Sequence, residues 1–483
     1  MLRRQFLKST LSLCVLAALP GCVSQSNKSF AAARFSQQQF ETLSNAVLDS
    51  VAQTSFPDKD FNVQAFGALG DKQHDNTLAF ANAIEACFIA GGGRVVVPAG
   101  DYLTGPIHLK SNVNLHLADN STLFFIPEPE RYLPAVLTRW EGVELMGYSP
   151  LIYAYQQENI AITGNGLIHG GADNDTWWPW KGPHKESHWS AVKDNKHQKA
   201  GRDQLFEDAE NGVPVEKRMY AQGAYLRPPM IQTYACKKVL IEGVTLTQSP
   251  FWLINPVMCE DVTVRNVTCR SHGPNNDGCD PESCNRVLIE GCTFDTGDDC
   301  IALKSGRNAD GRRLNLPIQN VLVRNCKMKD GHGGMVIGSE ISGGARNIFM
   351  HDCEMSSPEL ERAIRIKTNS VRGGLIENIY INNVQIGEVR DAIVINFYYE
   401  EGDAGQFDPQ VRNIHINKLT VENAAHAFFI KGFERAPIVG IHLSDCHFKN
   451  VKLPNIVEHV KHFTLDEVFI GDMPLLAKDL VTA

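Results

Sequence analysis

The second half of the chain repeats one short pattern of alternating apolar and polar residues. The phrase Val239-Leu-Ile-Glu-Gly-Val-Thr-Leu returns at intervals of 23, 25, 34, 27, 31, 35 and 27 residues. The later octets begin at Val262, Val287, Val321, Ile348, Ile379, Ile414 and Ile441. Alternation with a period of two predicts half-buried strands. Asn or Gly at or near the fifth place of the octets, as at Asn266 and Gly291, predicts a turn there.

The spacing of the octets predicts an all-β chain that forms a parallel β-helix, a solenoid of stacked coils. No helical pattern between the octets is long enough for the crossovers of a barrel or a doubly wound sheet. A short unit of strand and turn cannot close its own core, so successive units must stack. Four octets carry cysteine in the sixth place: Cys292, Cys326, Cys353 and Cys446. We interpret these thiols as a buried column and not a zinc site, because coils about 4.8 Å apart cannot bring four such ligands to one ion.

The folded domain is expected to span residues 61–483. Near its start, apolar residues at helical spacing predict a short helix from Asn76 to Ala90, ended by three glycines, that caps the first coil. Residues 23–60 are polar, with one possible short helix, and are predicted to form a tether. Residues 171–222 depart from the repeat and are predicted to be an insertion near the cleft. This insertion is rich in aromatic and basic residues, which either anchor a long loop folded on itself or offer flat faces and cationic partners to a ligand: Trp177, Trp178, Trp180, Lys181, Trp189, Arg202, Lys217 and Arg218.

Residues 1–22 have the composition of a targeting segment. Arg3-Arg4 precedes an apolar run that is too short for a comfortable membrane span of about 20 residues, as in a twin-arginine export signal. Leu19-Pro-Gly-Cys22 resembles a bacterial lipobox, with Cys22 as the lipidated residue. We expect an exported protein, periplasmic or anchored to the outer membrane as a lipoprotein. Eleven of the 13 cysteines follow this segment, an odd number that excludes complete disulfide pairing; Cys279 and Cys284 are the first pair to check.

The composition limits the classes of partner. The net charge of −9 argues against a nucleic-acid partner. An acidic substrate would also be disfavoured, unless a local group of Arg and Lys side chains overrides the sign of the whole chain.

Four polar clusters interrupt the apolar rhythm, each on a different predicted coil. They are Asn275-Asn276-Asp277-Gly278-Cys279-Asp280, Gly297-Asp298-Asp299-Cys300, Gly331-His332-Gly333-Gly334 and Arg365-Ile366-Lys367. Asp298 and His332 each follow the start of their octet by 11 residues. This shared offset predicts that the two side chains stack on one face.

The clusters together favour carbohydrate hydrolysis. Acids on neighbouring coils repel one another, so at least one should keep its proton to unusually high pH. A protonated carboxylic acid beside an ionised carboxylate is the requirement of glycoside hydrolysis. Arg365 and Lys367 alternate around Ile366, so both point outward and can bind a substrate carboxylate. Each cluster alone is more typical of an ordinary turn or a solvated strand, but four at coil spacing indicate a site.

The four clusters, in this order, resemble those of glycoside hydrolase family 28, the polygalacturonases. The family pattern is Asn-Thr-Asp-Gly, Gly-Asp-Asp, Gly-His-Gly and Arg-Ile-Lys; here Asn276 replaces the Thr. The resemblance covers residues 61–450. It implies a right-handed β-helix and hydrolysis of α-1,4-linked galacturonic acid with inversion, without metal or cofactor.

The resemblance also implies roles for single residues. Asp298 is similar to the family's general acid, and Asp277 and Asp299 to the pair that holds and deprotonates the attacking water. His332 is similar to the residue that tunes the acid, and Arg365 and Lys367 to the binders of the galacturonate carboxylate. Three further residues are expected to support substrate binding: Asn275, Asp280 and Lys304. Inversion would require roughly 6.5–9.5 Å between acid and base.

The insertion at 171–222 is similar in size to those of exo-acting members, so action from chain ends is favoured over internal cleavage; Tyr398-Tyr-Glu-Glu401 is a second candidate rim of the cleft.

Three alternatives stay open. A rhamnogalacturonan hydrolase of the same family would need one changed subsite. A calcium-dependent pectate lyase would need an oxygen-ligand site and a strong base. A non-catalytic carbohydrate-binding β-helix would leave the facing acids unexplained.

Overall fold

The structure is a computed structural model that describes residues 35–183 and 196–480. The targeting segment and Cys22 lie outside the described residues. The α-helices of the described part are α1 Gln37–Ser50, α2 Thr77–Ile89, α3 Lys199–Glu210 and α4 Asn308–Leu314. Short 3-10 helices span Val63–Phe66, Pro129–Tyr132, Trp178–Lys181, Val215–Lys217 and Ala477–Leu480. None of the helices in these ranges has the length and apolar character needed to cross a membrane.

Among the described residues, one long sheet holds 22 strands and its pairings are parallel except at the last strand. Its strands are Asp60–Asn62, Asp71–Asp75, Gly93–Val97, Gly100–Thr104, Val113–Leu117, Ser121–Phe125, Glu158–Gly164, Leu167–His169, Lys237–Glu242, Thr245–Thr247, Glu260–Arg265, Thr268–Ser271, Asn285–Glu290, Thr293–Thr296, Ile318–Arg324, Lys327–Met328, Ala345–Met355, Leu375–Glu388, Gln410–Ala424, Ile438–Val451, Val460–Ile470 and Met473–Pro474.

The other face of the coil is built from shorter strands. A three-stranded sheet contains Ile107–His108, Ile152–Tyr155 and Ile231–Tyr234, and a six-stranded sheet contains Ile301–Leu303, Met335–Ile337, Arg362–Lys367, Asp391–Asn396, His426–Lys431 and Ile456–Glu458. Single parallel bridges through Ile254 and Cys279 connect these two sheets into one continuous face. An antiparallel hairpin, Val136–Trp140 with Val143–Gly147, projects from the coil.

The eight octets stack in the predicted order. Val239 pairs with Val262, and the same column continues through every octet start to Ile441. The fifth residue of each octet has a positive φ between 51° and 81°, for example Gly243 and Asn383. Asn and Gly tolerate this left-handed conformation best, which explains why the turn signal recurs there. The predicted all-β parallel β-helix is confirmed.

Side chains of like type stack along the coil. Asn320, Asn347, Asn378 and Asn413 form a ladder in which each side-chain amide donates to the asparagine of the preceding coil, at 2.6–3.1 Å. The four octet cysteines are buried inside the coil. All cysteines among the described residues are free, so Cys279 and Cys284 form no bridge.

Helix α2 covers the N-terminal end of the core, close to its predicted bounds. It contacts the strands Asp60–Asn62 and Gly93–Val97 of the long sheet, and it buries Ala79, Phe80, Ala83, Ile84 and Cys87. Its apolar residues Leu78 and Phe88, by contrast, are exposed.

The described part of the predicted tether is packed against the coil. Helix α1 begins with a capping box at Ser36 and buries Phe40 and Val47 against Leu288 and Phe349 on the outer surface. Beyond the helix, Ser55 N donates to Asn159 Oδ1. Apolar side chains on one face of α1 outweigh the polar average of the segment, so this part of the predicted tether lies against the coil.

Candidate active site

The polar clusters lie on one face of the coil, at or beside the strands of the six-stranded sheet. Backbone hydrogen bonds align them coil by coil. Gly278 N donates to the Asp299 carbonyl at 2.9 Å, and Cys300 N donates to the Gly333 carbonyl at 2.7 Å. Strand pairing then places Arg365 beside Val336 on the next coil. Stacking therefore brings together acids and bases that are far apart along the chain.

Asp277, Asp298 and Asp299 form the centre of this site. One carboxylate oxygen of each lies within 4.8 Å of the others. Their accessibility differs: the Asp298 side chain is 18% exposed, that of Asp277 4% and that of Asp299 0%. Asp298 thus reaches the cleft surface, with the other two behind it. The roughly 6.5–9.5 Å that the resemblance implies for inversion is a separation between whole carboxyl groups and stays a prediction.

Lysine and arginine side chains neutralise these acids. Lys367 Nζ lies 2.6 Å from Asp299 Oδ2, and Arg365 Nη1 lies 3.5 Å from Asp299 Oδ1. Lys304 Nζ lies 3.7 Å from Asp277 Oδ2 and 3.1 Å from Glu340 Oε2. The three aspartates have the spacing of a metal site, but two ammonium groups already lie among their oxygens and supply positive charge there.

Burial and mutual repulsion keep part of the acid cluster protonated. Burial, followed by the charges of Asp280 and Asp298, raises the pKa of Asp277 well above its usual value. Burial raises the pKa of Asp280 to about 8, although Lys304 opposes the shift. The expectation that at least one acid holds its proton is therefore met at Asp277 and Asp280 in the free protein.

Asp298 and His332 form a separate pair. His332 Nδ1 lies 3.1 Å from Asp298 Oδ1. The carboxylate charge and this hydrogen bond raise the pKa of His332 to about 9. Burial acts to raise the pKa of Asp298, but His332 and Lys367 more than offset it, and the pKa lies well below its usual range. In the free protein the proton of this pair rests on the imidazole.

Two cavities meet at Asp298. The first, of about 510 Å³, extends past Lys304 and Lys367 and is bounded by Arg202 and Phe206 of α3 and by Glu400 and Glu401. The second, of about 340 Å³, extends past His272 and His332. Three residues line both cavities: Lys181, Asn275 and Asp298. Asp298 therefore lies where the two cavities join into one cleft. Residues of the insertion line one side of this cleft.

Comparisons with known proteins identify this arrangement. Glycosyl hydrolases family 28 matches residues 217–410. The crystal structure of a hyperthermoactive exopolygalacturonase from Thermotoga maritima is 44% identical, covers 90% of this chain and 96% of its own, and superposes with a TM-score of 0.86. The chain belongs to glycosyl hydrolase family 28.

Other family 28 relatives are more distant. An exo-poly-alpha-D-galacturonosidase of Dickeya chrysanthemi is 24% identical over 86% of this chain and 74% of its own length. A probable polygalacturonase of Vitis vinifera is 27% identical over 79% and 72%. Membership confirms the right-handed winding that the resemblance implied.

The Asn276 side chain, where the family 28 pattern has Thr, is buried and fully bonded. Its amide donates to the carbonyls of Ser249 and Phe251 at 3.1 Å, and its oxygen accepts from Ser271 Oγ and Gly273 N. The substitution therefore fixes the loop below the site. Asn275 has a positive φ of 54° and turns its Oδ1 toward Lys181 and Arg227.

Several residues of the family 28 cleft carried no sequence signal. Glu340 binds both Lys304 and Arg307, at 3.1 and 3.2 Å, although it follows an ordinary Gly-Ser turn. Arg227 is buried and holds Asn275, but it lies after the insertion, where no repeat exists to place it. Tyr399 belongs to the rim segment that was predicted, and its ring lies beside Arg365 and Lys367.

The tryptophans of the insertion anchor it. Trp177 and Trp178 are buried in the main core, and Trp180 packs against it. None of these three lines either cavity, whereas Lys181 and Arg202 do. Arg218 is buried in a pair with Asp310, Lys217 lines neither of these cavities, and Trp189 lies outside the described residues. Basic side chains of the insertion, and not its described tryptophans, therefore reach the cleft.

Proposed function

We propose that this family 28 enzyme hydrolyses the α-1,4 bonds of galacturonan from chain ends. The observation that carries the proposal is the convergence of Asp277, Asp298 and Asp299 within 4.8 Å, beside the cations Arg365 and Lys367. This cationic group supplies the local positive charge that an acidic protein needs for an acidic polymer. A calcium-dependent lyase and a rhamnogalacturonan hydrolase are not favoured by the comparisons.

In this mechanism Asp298 is the general acid. It is the most accessible of the three aspartates, so it alone can reach a glycosidic oxygen. When substrate binds, the added negative charge and the removal of water favour a protonated Asp298. The proton comes from His332 Nδ1 across the 3.1 Å contact, and Asp298 passes it to the leaving oxygen.

Asp277 and Asp299 hold the attacking water. Oδ1 of each is buried and accepts no hydrogen bond from a described residue, so both oxygens are available as acceptors. The paired charge on Asp299, 2.6 Å from Lys367 Nζ, suits it to receive the proton of the water. Both side chains are too buried to attack the sugar directly. A water nucleophile predicts inversion, and the anomer first seen in proton NMR of the products tests it.

Exo action follows from the shape of the cleft. Arg202 and Phe206 of helix α3 and the segment Glu400–Glu401 line the first cavity, and we infer that they stop a polymer from continuing past the site. Product analysis over time on polygalacturonate tests this. Only short products of constant size support exo action, and an early ladder of oligomers would contradict it.

We also propose that the chain is exported and that Cys22 carries the lipid anchor. The support is the order of Arg3-Arg4, the apolar run and the lipobox-like Leu19–Cys22. Partition of the full chain into the detergent phase, lost in Cys22→Ala, is the expected result. Equal partition of the two forms would contradict the anchor and leave the catalytic proposal unaffected.

A further inference from the structure

The cations that line the cleft differ in whether they form an ion pair with a carboxylate of the protein. In the first cavity, Arg202 pairs with Asp203, Lys304 and Arg307 pair with Glu340, and Lys367 pairs with Asp299, at distances of 2.6–3.2 Å. In the second cavity, His272 pairs with Asp295 and His332 with Asp298. Lys181 lines both cavities and, within residues 35–183 and 196–480, forms no ion pair with a carboxylate.

Lys181 makes one side-chain hydrogen bond to the described residues, so its ammonium group can bind a further acceptor. Its Nζ donates to Asn275 Oδ1 at 3.0 Å, and an ammonium group has three donors. Arg227 donates to the same oxygen at 2.8 Å, so the orientation of the Asn275 amide is fixed. Among the described residues, Lys181 is thus held in place by a neutral side chain, and its other donors have no hydrogen-bond partner there.

The surroundings of Lys181 favour an incoming anion. Burial lowers the pKa of Lys181, and the charges of Arg227 and Arg202 act in the same direction, whereas the charges of Glu141 and Asp298 oppose the shift. A buried ammonium that makes no close ion pair is costly. Residues that bind substrate commonly keep such uncompensated charge until the ligand supplies the opposite one.

We propose that Lys181 binds the carboxylate of a second galacturonate unit, the one that lies in the second cavity, across the cleavage point from the unit held by Arg365 and Lys367. This inference rests on the proposed function and deepens it, because it makes the enzyme selective for a uronic acid on both sides of the cleaved bond. A neutral sugar such as rhamnose in the second cavity would offer Lys181 no carboxylate to bind.

The test uses digalacturonate and its two singly carboxyl-reduced forms, in which one or the other unit carries CH₂OH. The full-length wild-type enzyme should lose kcat/KM when either unit is reduced. Lys181→Met should lose roughly 10- to 100-fold in kcat/KM on digalacturonate, and it should become indifferent to reduction of one unit while staying sensitive to reduction of the other. Because the readout is a ratio between substrates, it does not depend on the folded fraction, and Lys181→Gln provides a second variant.

The matched control is Lys199→Met, which removes an exposed lysine of the same insertion that pairs with Asp203. It should keep the wild-type ratios. An equal loss of kcat/KM on all three substrates in Lys181→Met would overturn the inference, and so would unchanged ratios. If the wild-type enzyme cleaves none of the three but is active on another polymer, the proposed function fails before the role of Lys181 is reached.

Discussion

His332 Nδ1 lies 3.1 Å from Asp298 Oδ1, and the two residues come from adjacent coils 34 positions apart in the chain. Each stabilises the charged form of the other, so the imidazole holds the proton of the pair in the free enzyme. His332 therefore holds the proton in the free enzyme, whereas Asp298 is the residue proposed to deliver it to the substrate. This relationship governs the first two predictions.

Asp298→Asn should lower kcat on polygalacturonate by about 10²- to 10⁴-fold, because the amide cannot donate the proton to the leaving oxygen. Folding should be nearly unchanged, since the side chain is at the cleft surface. The control is Asp352→Asn, which changes an exposed aspartate of the outer turn and should leave kcat within about twofold. Near-normal turnover of Asp298→Asn in a reducing-sugar assay would remove the acid assignment.

The alkaline side of the pH profile should report His332. With a pKa of about 9, the imidazole keeps its proton at lower pH and loses it as the pH rises through that value. The profile of kcat/KM against pH for the wild-type enzyme should therefore fall near pH 9. In His332→Gln, kcat/KM should be lower at all pH values and this alkaline limb should be absent. A limb that persists in the variant would assign it to another group.

Lys367→Met should lower kcat as well as raise KM. The resemblance implies that Lys367 binds the substrate carboxylate, but Lys367 Nζ also lies 2.6 Å from Asp299 Oδ2, so its loss leaves a buried carboxylate without its closest partner. We expect a fall of about 10²-fold or more in kcat/KM. Lys431→Met is the matched control, because Lys431 lies in the same column two coils away and pairs with Glu458. A change in KM alone would contradict the role in ordering Asp299.

Asp280→Asn should stabilise the fold at pH 8 and much less at pH 4. The folded pKa of about 8 lies above the usual value of 3.8, so the folded state holds a proton that the unfolded chain has lost between these values. The free energy of unfolding of the wild-type enzyme therefore falls as the pH rises through this window. The neutral amide has no proton to lose. Calorimetric Tm values of both proteins at pH 4, 6 and 8 measure the difference, and a constant difference would contradict the shift.

The fold was predictable because its determinants are local and repeated. Each coil carries the same alternation of apolar and polar residues and a similar turn signal. A misleading residue in one octet therefore does not change the prediction from the whole set. The stacking of Asp298 on His332 followed from the same arithmetic, since both lie 11 residues after an octet start. The position of the protons did not follow: the sequence indicated that at least one acid keeps its proton, but which residue holds it depends on burial and on cations of other coils.

Residues outside the repeat could not be placed from the sequence. Lys181 and Arg227 belong to or follow the insertion, and their positions depend on buried tryptophans that anchor that segment. The packing of α1 against the outer surface of the coil was also missed. The polar average composition of its segment hides the apolar face of this helix.

The order of residues along this chain is thus sufficient to establish a stacked coil and the four clusters that meet on its face, because strand alternation and left-handed turns act over a few residues. Three-dimensional packing decided the rest: which aspartate is accessible, which group holds the proton, and which lysine of the cleft forms no ion pair within the part of the chain that the structure describes. Those properties arise from distances between coils and from the path of a long excursion, and no short stretch of sequence contains them.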